Sequence, residues 1–184
     1  MNDTDMRARY SKVAIALHWL IGLAIIVNLA GGLLHESMAR DLRSIVMPLH
    51  KATGITILVL SVARLVWRLT HRPPPYQATR AGWEKVTAKV VHWAFYILII
   101  AIPFSGWLIT SAGSRKYPLD WYGLFGIPFL PVTQDKGLAA AAGGAHENLS
   151  YLMIALLVLH IGAAMKHLVL DKDGTFGRMV PGNG

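Results

Sequence analysis

Four long runs of apolar residues, separated by polar segments, dominate the hydropathy pattern of the chain. The runs are Val13–Leu34, Ile45–Leu69, Val90–Ala112 and Leu149–Leu170. Each has about 20 residues or more, the length that an α-helix needs to cross about 30 Å of hydrocarbon. Backbone groups in lipid must be satisfied within their own segment, so each run should be a helix. The pattern predicts an all-α membrane protein, with residues 1–184 forming one four-transmembrane-helix bundle.

The composition supports a membrane protein over a soluble all-α domain. The 184 residues are 54% hydrophobic and 15% charged, whereas soluble domains carry about 25% charged residues. Four buried helices in so short a chain would leave too little polar surface to dissolve it. The chain has no cysteine, which excludes disulfides, thiolate zinc sites, iron–sulfur clusters and thiol nucleophiles.

Positive charges predict the orientation. The formal net charge is +8, and four crossings place both termini on the same side. The Lys and Arg residues on that side are Arg7, Arg9, Lys12, Arg64, Arg68, Arg72, Arg80, Lys85, Lys89, Lys166, Lys172 and Arg178. Those on the other side are Arg40, Arg43, Lys51, Arg115, Lys116 and Lys136. Because Lys and Arg accumulate in cytoplasmic loops, we expect cytoplasmic termini. The placement of Lys and Arg relative to the bilayer then accounts for the positive net charge, and no nucleic-acid partner is expected.

Histidines within the apolar runs are the main candidates for chemistry, because ionisable groups in membrane segments are costly and usually face a bundle interior. Five lie inside the runs and a sixth directly precedes the fourth run: His18, His50, His92, His160 and His167, with His146 as the sixth. His146 and His160 lie about 40° apart around a helix and about 21 Å apart along it. They therefore share a face at two depths.

Matching depths between helices gives two pairs. His50 can meet His146 near the outer surface, and His18 can meet His160 toward the inner half. Two imidazoles facing each other across a flat space are typical of bis-histidine haem ligation inside a helical bundle. A zinc or copper cluster needs three or four donors at one level, and these histidines are spread over two. Hydrogen-bonded core histidines are the remaining alternative.

Two other histidines have open roles. His92, at the inner start of the third run, is an alternative to His18 as an axial ligand, or contacts a haem propionate or a quinone. His167 is a ligand, a quinone or propionate contact, or an interfacial side chain. His35 and His71 fall between the runs and are interpreted as solvated.

Two haems, each with both axial positions filled by histidine, would conduct electrons across the bilayer. The inner end, near His92, His160 and His167, suits a lipid quinone. The outer end carries a basic rim that would steer a small anion toward the cofactor, formed by Arg40, Arg43, Lys51, Arg115 and Lys116. Of these, Lys51 and Arg43 are the candidate substrate-steering residues. Ordinary loop solubility, or pairing with haem propionates, is the alternative role for this rim.

Three stretches resemble the bacterial cytochrome b561 family. They are YSKVAIALHWLIG, MPLHKATGITILVLSVARLVWR and HENLSYLMIALLVLHIGAAMKH, in this order. The resemblance covers Tyr10 to about Pro181, but is poor over Gly113–Ala145. Related four-histidine cores occur in the cytochrome b subunits of nickel hydrogenases and formate dehydrogenases.

The resemblance implies a diheme protein of the bacterial inner membrane. It implies that His18 and His160 ligate the cytoplasmic-side haem b, and that His50 and His146 ligate the periplasmic-side haem b. His167 matches a family histidine that lies by the quinone. A well-defined small member of the family is a superoxide oxidase, which passes electrons from superoxide to ubiquinone.

Three hypotheses follow. The first is a superoxide:ubiquinone oxidoreductase with no obligatory protein partner. The second is a cytochrome b subunit that links a dehydrogenase or a periplasmic redox protein to the quinone pool. The third is a haem-free membrane protein such as a small transporter.

Overall fold

The computed structural model describes residues 9–71, 74–75, 82–114 and 117–181. Four helices in this part of the chain are long and apolar enough to cross a membrane. They are α1 (Lys12–Leu34), α2 (Arg40–Thr70), α3 (Gly82–Ala112) and α4 (Lys136–Lys166). The predicted four-helix membrane fold is confirmed. Arg7, Arg72, Arg80, Arg115 and Lys116, which entered the charge argument, lie outside the described residues.

All four helices begin before their apolar runs, at Lys12, Arg40, Gly82 and Lys136. The largest difference is in α4, which begins at Lys136 and not near Leu149. The alanine-rich stretch 139–145, which lies before the predicted run Leu149–Leu170, is helical. Alanine has the highest helix propensity, and Asp135 caps the helix by accepting from the backbone N–H groups of Gly137 and Leu138. His146 is therefore inside α4 and not before it.

Successive helices pack side by side, α1 on α2, α2 on α3 and α3 on α4. Tyr96, Leu98 and Ile99 of α3 form the buried core together with Met153 of α4. Most other large apolar side chains face outward, as expected where lipid replaces water.

A small cap covers α2 at the end of the bundle opposite residues 9 and 181, which we call the outer end. It follows α3 and contains a two-stranded antiparallel hairpin, β1 (Asp120–Trp121) and β2 (Phe125–Gly126). The Trp121 Nε1–H donates to Thr56 Oγ1 at 3.0 Å, and the Tyr122 hydroxyl lies 3.0 Å from Thr53 Oγ1. The connection between α3 and α4 is thus shorter than predicted and partly ordered by α2.

The C-terminal tail covers the other end of the bundle, which we call the inner end. After α4, a π-helical turn (His167–Asp171) leads to a short 3-10 helix (Phe176–Met179). The Trp19 Nε1–H of α1 donates to the Met179 carbonyl at 2.6 Å, and the Arg9 guanidinium donates to the Val180 carbonyl. The two ends of the described chain are therefore held together beside the inner histidines.

Candidate cofactor site

The structure brings His50 of α2 and His146 of α4 face to face near the outer end. Their ring centroids are 6.2 Å apart, with 73° between the ring planes. Both side chains are half-buried. The two residues are far apart in sequence, so the pairing is made by the packing of the bundle.

Hydrogen bonds to main-chain carbonyls orient both rings. His50 Nδ1–H donates to the Asn28 carbonyl of α1 at 3.1 Å. His146 Nδ1–H donates to the Ile102 carbonyl of α3 at 2.9 Å, with Ser105 Oγ also within 3.1 Å. A carbonyl only accepts, so Nδ1 carries the proton and Nε2 of the neutral ring is left with its lone pair. This is the arrangement by which proteins prepare a histidine for metal binding.

Each of these carbonyls is followed four residues later by a glycine that leaves room for the ring. A Cβ at Gly32 would lie 3.0 Å from His50 Cε1, and a Cβ at Gly106 would lie 3.2 Å from His146 Cε1. Both distances are shorter than ordinary van der Waals contact. Gly32 is one residue that the sequence reasoning missed, and the signal was its spacing of four from Asn28.

A cavity of about 540 Å³ opens around the outer pair. Apolar side chains line its interior, among them Leu29, Ile57 and Leu98. Its outer part contains His35, Glu36, Lys51 and Glu147. Pockets of about 300–1,000 Å³ with mostly apolar walls are typical of bound organic cofactors.

The inner end gathers three histidines. The ring centroid of His160 lies 6.1 Å from that of His18 and 6.1 Å from that of His92. Phe95 packs edge-on against His160 at 5.3 Å. The geometry therefore brings together the predicted His18–His160 pair, but it also keeps His92 as an equally distant alternative.

The ring separations of both pairs fit a haem. Two imidazoles bound to opposite sides of one iron, each through a nitrogen at about 2 Å, would have ring centroids about 6 Å apart. The observed separations of 6.1 and 6.2 Å match this value. At the outer pair, Nδ1 of each ring carries the proton, so each Nε2 could bind the iron.

Arg64 makes a contact with His18 that the sequence reasoning missed. Its guanidinium Nη1–H donates to His18 Nδ1 at 3.1 Å. Because a guanidinium only donates, Nδ1 is the acceptor here, and the neutral ring then carries its proton on Nε2. His18 is thus in the opposite tautomer from His50 and His146.

His167 lies in the π-helical turn with two carboxylates around it. Its Nδ1 is 2.9 Å from an Asp171 oxygen and 2.9 Å from an Asp173 oxygen. Lys166 Nζ shares the Asp171 oxygen at 2.6 Å. The left-handed backbone of Lys172 (φ 50°) turns the chain so that both carboxylates reach one nitrogen.

The outer basic rim is partly engaged by the protein itself. Lys51 Nζ lies 3.4 Å from the Pro118 carbonyl and 5.7 Å from the centre of the Tyr117 ring. Arg43 donates to the Glu36 carbonyl at 2.8 Å. Arg40 is exposed. Two of the five predicted rim residues, Arg115 and Lys116, lie outside the described residues.

The two histidines interpreted as solvated have different surroundings. His35 follows α1 directly, donates from Nδ1 to the Gly32 carbonyl at 2.6 Å and lines the outer cavity. His35 is thus half-buried, whereas its interpretation as solvated stays a prediction. His71 is exposed and stacks on Trp67, with ring centroids 3.7 Å apart.

Comparison with known proteins identifies the family. A sequence profile described as prokaryotic cytochrome b561 matches residues 9–182. Cytochrome b561 homolog 2 of Escherichia coli (strain K12) is 31% identical over 183 residues, which cover 98% of this chain and 95% of that protein. Cytochrome b561 homolog 1 of the same organism is 26% identical over 94% of this chain and 97% of that protein. The probable superoxide oxidase CybB of Yersinia pestis is 30% identical over 96% and 98%.

Membership in this family implies b-type haem, an electron-transfer role and the bacterial inner membrane. It argues against the haem-free transporter, because a cytochrome requires the cofactor that the paired imidazoles fit. The match extends over nearly the whole described chain, including both histidine pairs. This chain belongs to the prokaryotic cytochrome b561 family.

Proposed function

We propose that the protein is a superoxide:ubiquinone oxidoreductase that holds two haem b groups at two depths. Two superoxide anions are oxidised to two dioxygen molecules, and one ubiquinone takes up the two electrons and two protons to become ubiquinol. The observation that carries the proposal is the presence of two imidazole pairs with centroid separations of 6.2 and 6.1 Å. A relative named as a probable superoxide oxidase, 30% identical over nearly the whole chain, supports this choice of substrate.

In this proposal, His50 and His146 are the ligands of the outer haem, and His18 and His160 those of the inner haem. Bound haem b supplies a one-electron carrier whose iron alternates between two oxidation states. The carbonyls of Asn28 and Ile102 hold the outer rings in the tautomer that presents Nε2. At the inner site, His92 competes with His18 for the same partner.

The outer end is proposed to receive superoxide from the periplasm, with both termini in the cytoplasm. Lys51 directly follows His50 on α2 and lines the same cavity. Its contact with the Pro118 carbonyl holds the ammonium beside the cavity, where its charge attracts a small anion. Arg43, exposed on the same helix, adds to this field. Glu36 and Glu147 at the cavity oppose it.

The inner end is proposed to reduce ubiquinone beside His167. The carboxylates of Asp171 and Asp173 both face its Nδ1. These two contacts hold the ring in one orientation, as a carboxylate does for a catalytic histidine. Reduction of a quinone consumes two protons, and His167 with its carboxylates lies at the inner surface from which these protons come.

The second candidate is a cytochrome b subunit that connects a dehydrogenase or a periplasmic redox protein to the quinone pool. One observation favours it. At the tip of the outer hairpin, Leu124 and Phe125 are 72% and 58% exposed. Exposed apolar side chains at such a tip form either a membrane-surface contact or a docking point for a protein.

One experiment separates the two candidates. The purified protein is mixed with pulses of superoxide in the presence of a soluble ubiquinone, and haem reduction and quinol formation are followed optically. The first candidate predicts rapid haem reduction that superoxide dismutase abolishes. Haem that stays oxidised under superoxide but is reduced by dithionite would refute the first candidate and leave the second.

A further inference from the structure

Two arginines on α2 form a charged pair inside the bundle near its inner end. Arg64 and Arg68 are one helical turn apart and half-buried. Both guanidinium groups lie against the ring of Tyr96 on α3, at 6.0 and 5.5 Å from its centre. Tyr96 is 9% exposed and belongs to the core cluster. The two cations are therefore held by packing in a fixed place.

Neither arginine has an anionic partner of its own in the part of the chain that the structure describes. The ion pairs found there involve Lys166 and His167, not α2. A guanidinium within a membrane-spanning helix is costly unless it meets an anion or a water-filled space. Two guanidinium groups side by side, both packed against the Tyr96 ring, form a surface that suits a planar carboxylate.

The arginine pair borders the inner histidine cluster. Arg64 donates to His18 Nδ1, and His18 is 6.1 Å from His160. Because α2 runs inward, Arg68 lies one turn closer to the inner surface than Arg64. A group bound between His18 and His160 would thus have its inner edge beside the two guanidinium groups.

We propose that Arg64 and Arg68, packed against Tyr96, bind the carboxylate side chains of the inner haem. The proposal depends on the assignment of His18 and His160 to the inner haem, but not on superoxide as the substrate. Arg64 and Arg68 are positioning residues in this scheme.

The test compares Arg64→Gln, Arg68→Gln and Arg64→Lys with the wild-type holoprotein. The readouts are the haem-to-protein ratio and the midpoint potential of each haem in a spectroscopic redox titration. Lys89→Gln is the matched control, because it removes a positive charge from an exposed position near the inner end of α3. The contact with His18 is made by Arg64 and not by Arg68. Arg68→Gln therefore still tests the proposal if Arg64→Gln fails to fold.

We expect Arg64→Gln to lower the haem-to-protein ratio to about half of the wild-type value. Arg68→Gln should retain both haems but shift the inner potential downward, because a positive charge that stabilises the reduced iron is lost. Arg64→Lys should keep a haem-to-protein ratio nearer to the wild-type value than Arg64→Gln does. Lys89→Gln should change neither readout.

Two results would overturn the proposal. One is an unchanged haem ratio and unchanged potentials in both glutamine variants. The other is an Arg64→Lys protein whose haem-to-protein ratio equals that of Arg64→Gln, since charge would then not be the cause. His18→Ala tests the ligand assignment separately, because full retention of both haems there would refute the assignment itself. A lost superoxide reaction with normal haem properties concerns only the proposed function.

Discussion

The imidazoles of His50 and His146 lie 6.2 Å apart between ring centroids, and each donates through Nδ1 to a carbonyl of a different neighbouring helix. His50 of α2 uses Asn28 of α1, and His146 of α4 uses Ile102 of α3. All four helices thus contribute to one site. The orientation of each ring depends on the packing of a helix pair and not on its own helix alone.

The first prediction concerns the ligands of the outer haem. His50→Ala or His146→Ala should lower the haem-to-protein ratio to about half, because a single remaining axial ligand holds the cofactor weakly. A haem assay on purified protein measures the ratio. A His71→Ala variant, changed at an exposed histidine, should retain the wild-type ratio. Two full haems in both outer variants would contradict the assignment.

The second prediction separates His18 from His92 at the inner site. Both lie 6.1 Å from His160, so distance alone does not decide. If His18 is the ligand, His18→Ala loses the inner haem, whereas His92→Ala keeps it with a shifted spectrum or potential. The reverse pattern would assign His92. Low-temperature optical spectra and redox titration distinguish the two results.

The third prediction concerns the glycines beside the outer pair. Gly32→Ala places a Cβ 3.0 Å from His50 Cε1, and Gly106→Ala places one 3.2 Å from His146 Cε1. Overpacking of this kind costs about 1–3 kcal/mol, so both variants should release the outer haem more readily under mild heating. Gly22→Ala on α1 is the control, because no atom lies within 4 Å of its added Cβ. Equal haem loss in all three variants would argue against a local steric cause.

The fourth prediction concerns charge at the outer cavity. Lys51→Gln should slow the reaction with superoxide severalfold, and Glu147→Gln should accelerate it, because the two charges act in opposite senses on an incoming anion. Stopped-flow haem reduction at several salt concentrations is the measurement. Both effects should shrink as the ionic strength rises. If both substitutions change the rate in the same direction, the change is not electrostatic.

The fifth prediction concerns the carboxylates at the inner end. Asp171→Asn and Asp173→Asn together should slow quinol formation while leaving the rate of haem reduction by superoxide unchanged, since only the quinone step takes up protons. Following both rates in the same samples checks this. Asp41→Asn, in the first turn of α2 at the opposite end, is the matched control. A double variant with normal quinol formation would remove these carboxylates from the proposed proton supply.

Much of the architecture could be predicted from hydropathy alone. Apolar runs of about 20 residues leave the backbone few alternatives in lipid. The approach of His50 to His146 and of His18 to His160 could also be predicted, because helical rise converts sequence position into depth. The ligand roles of these residues stay predictions.

Other features depend on local turns and on contacts between distant residues, which the spacing of hydrophobic residues along the sequence does not indicate. The start of α4 at Lys136 was missed because the stretch 139–145 contains only small residues. Such a stretch resembles a linker more than a membrane-spanning sequence. The Arg64–His18 contact joins residues far apart in sequence on two helices. The convergence of Asp171 and Asp173 on His167 depends on a π-helical turn and a left-handed residue, which sequence patterns rarely reveal.

The uninterrupted helix α4 carries both His146 and His160. This one helix therefore supplies one histidine of each pair, and any rotation or axial shift of α4 moves both of these histidines together. Separate adjustment of the two proposed redox centres must come from the facing helices, through His18 on α1 and His50 on α2. An engineer who wishes to retune one centre alone should leave α4 intact and redesign its facing helix.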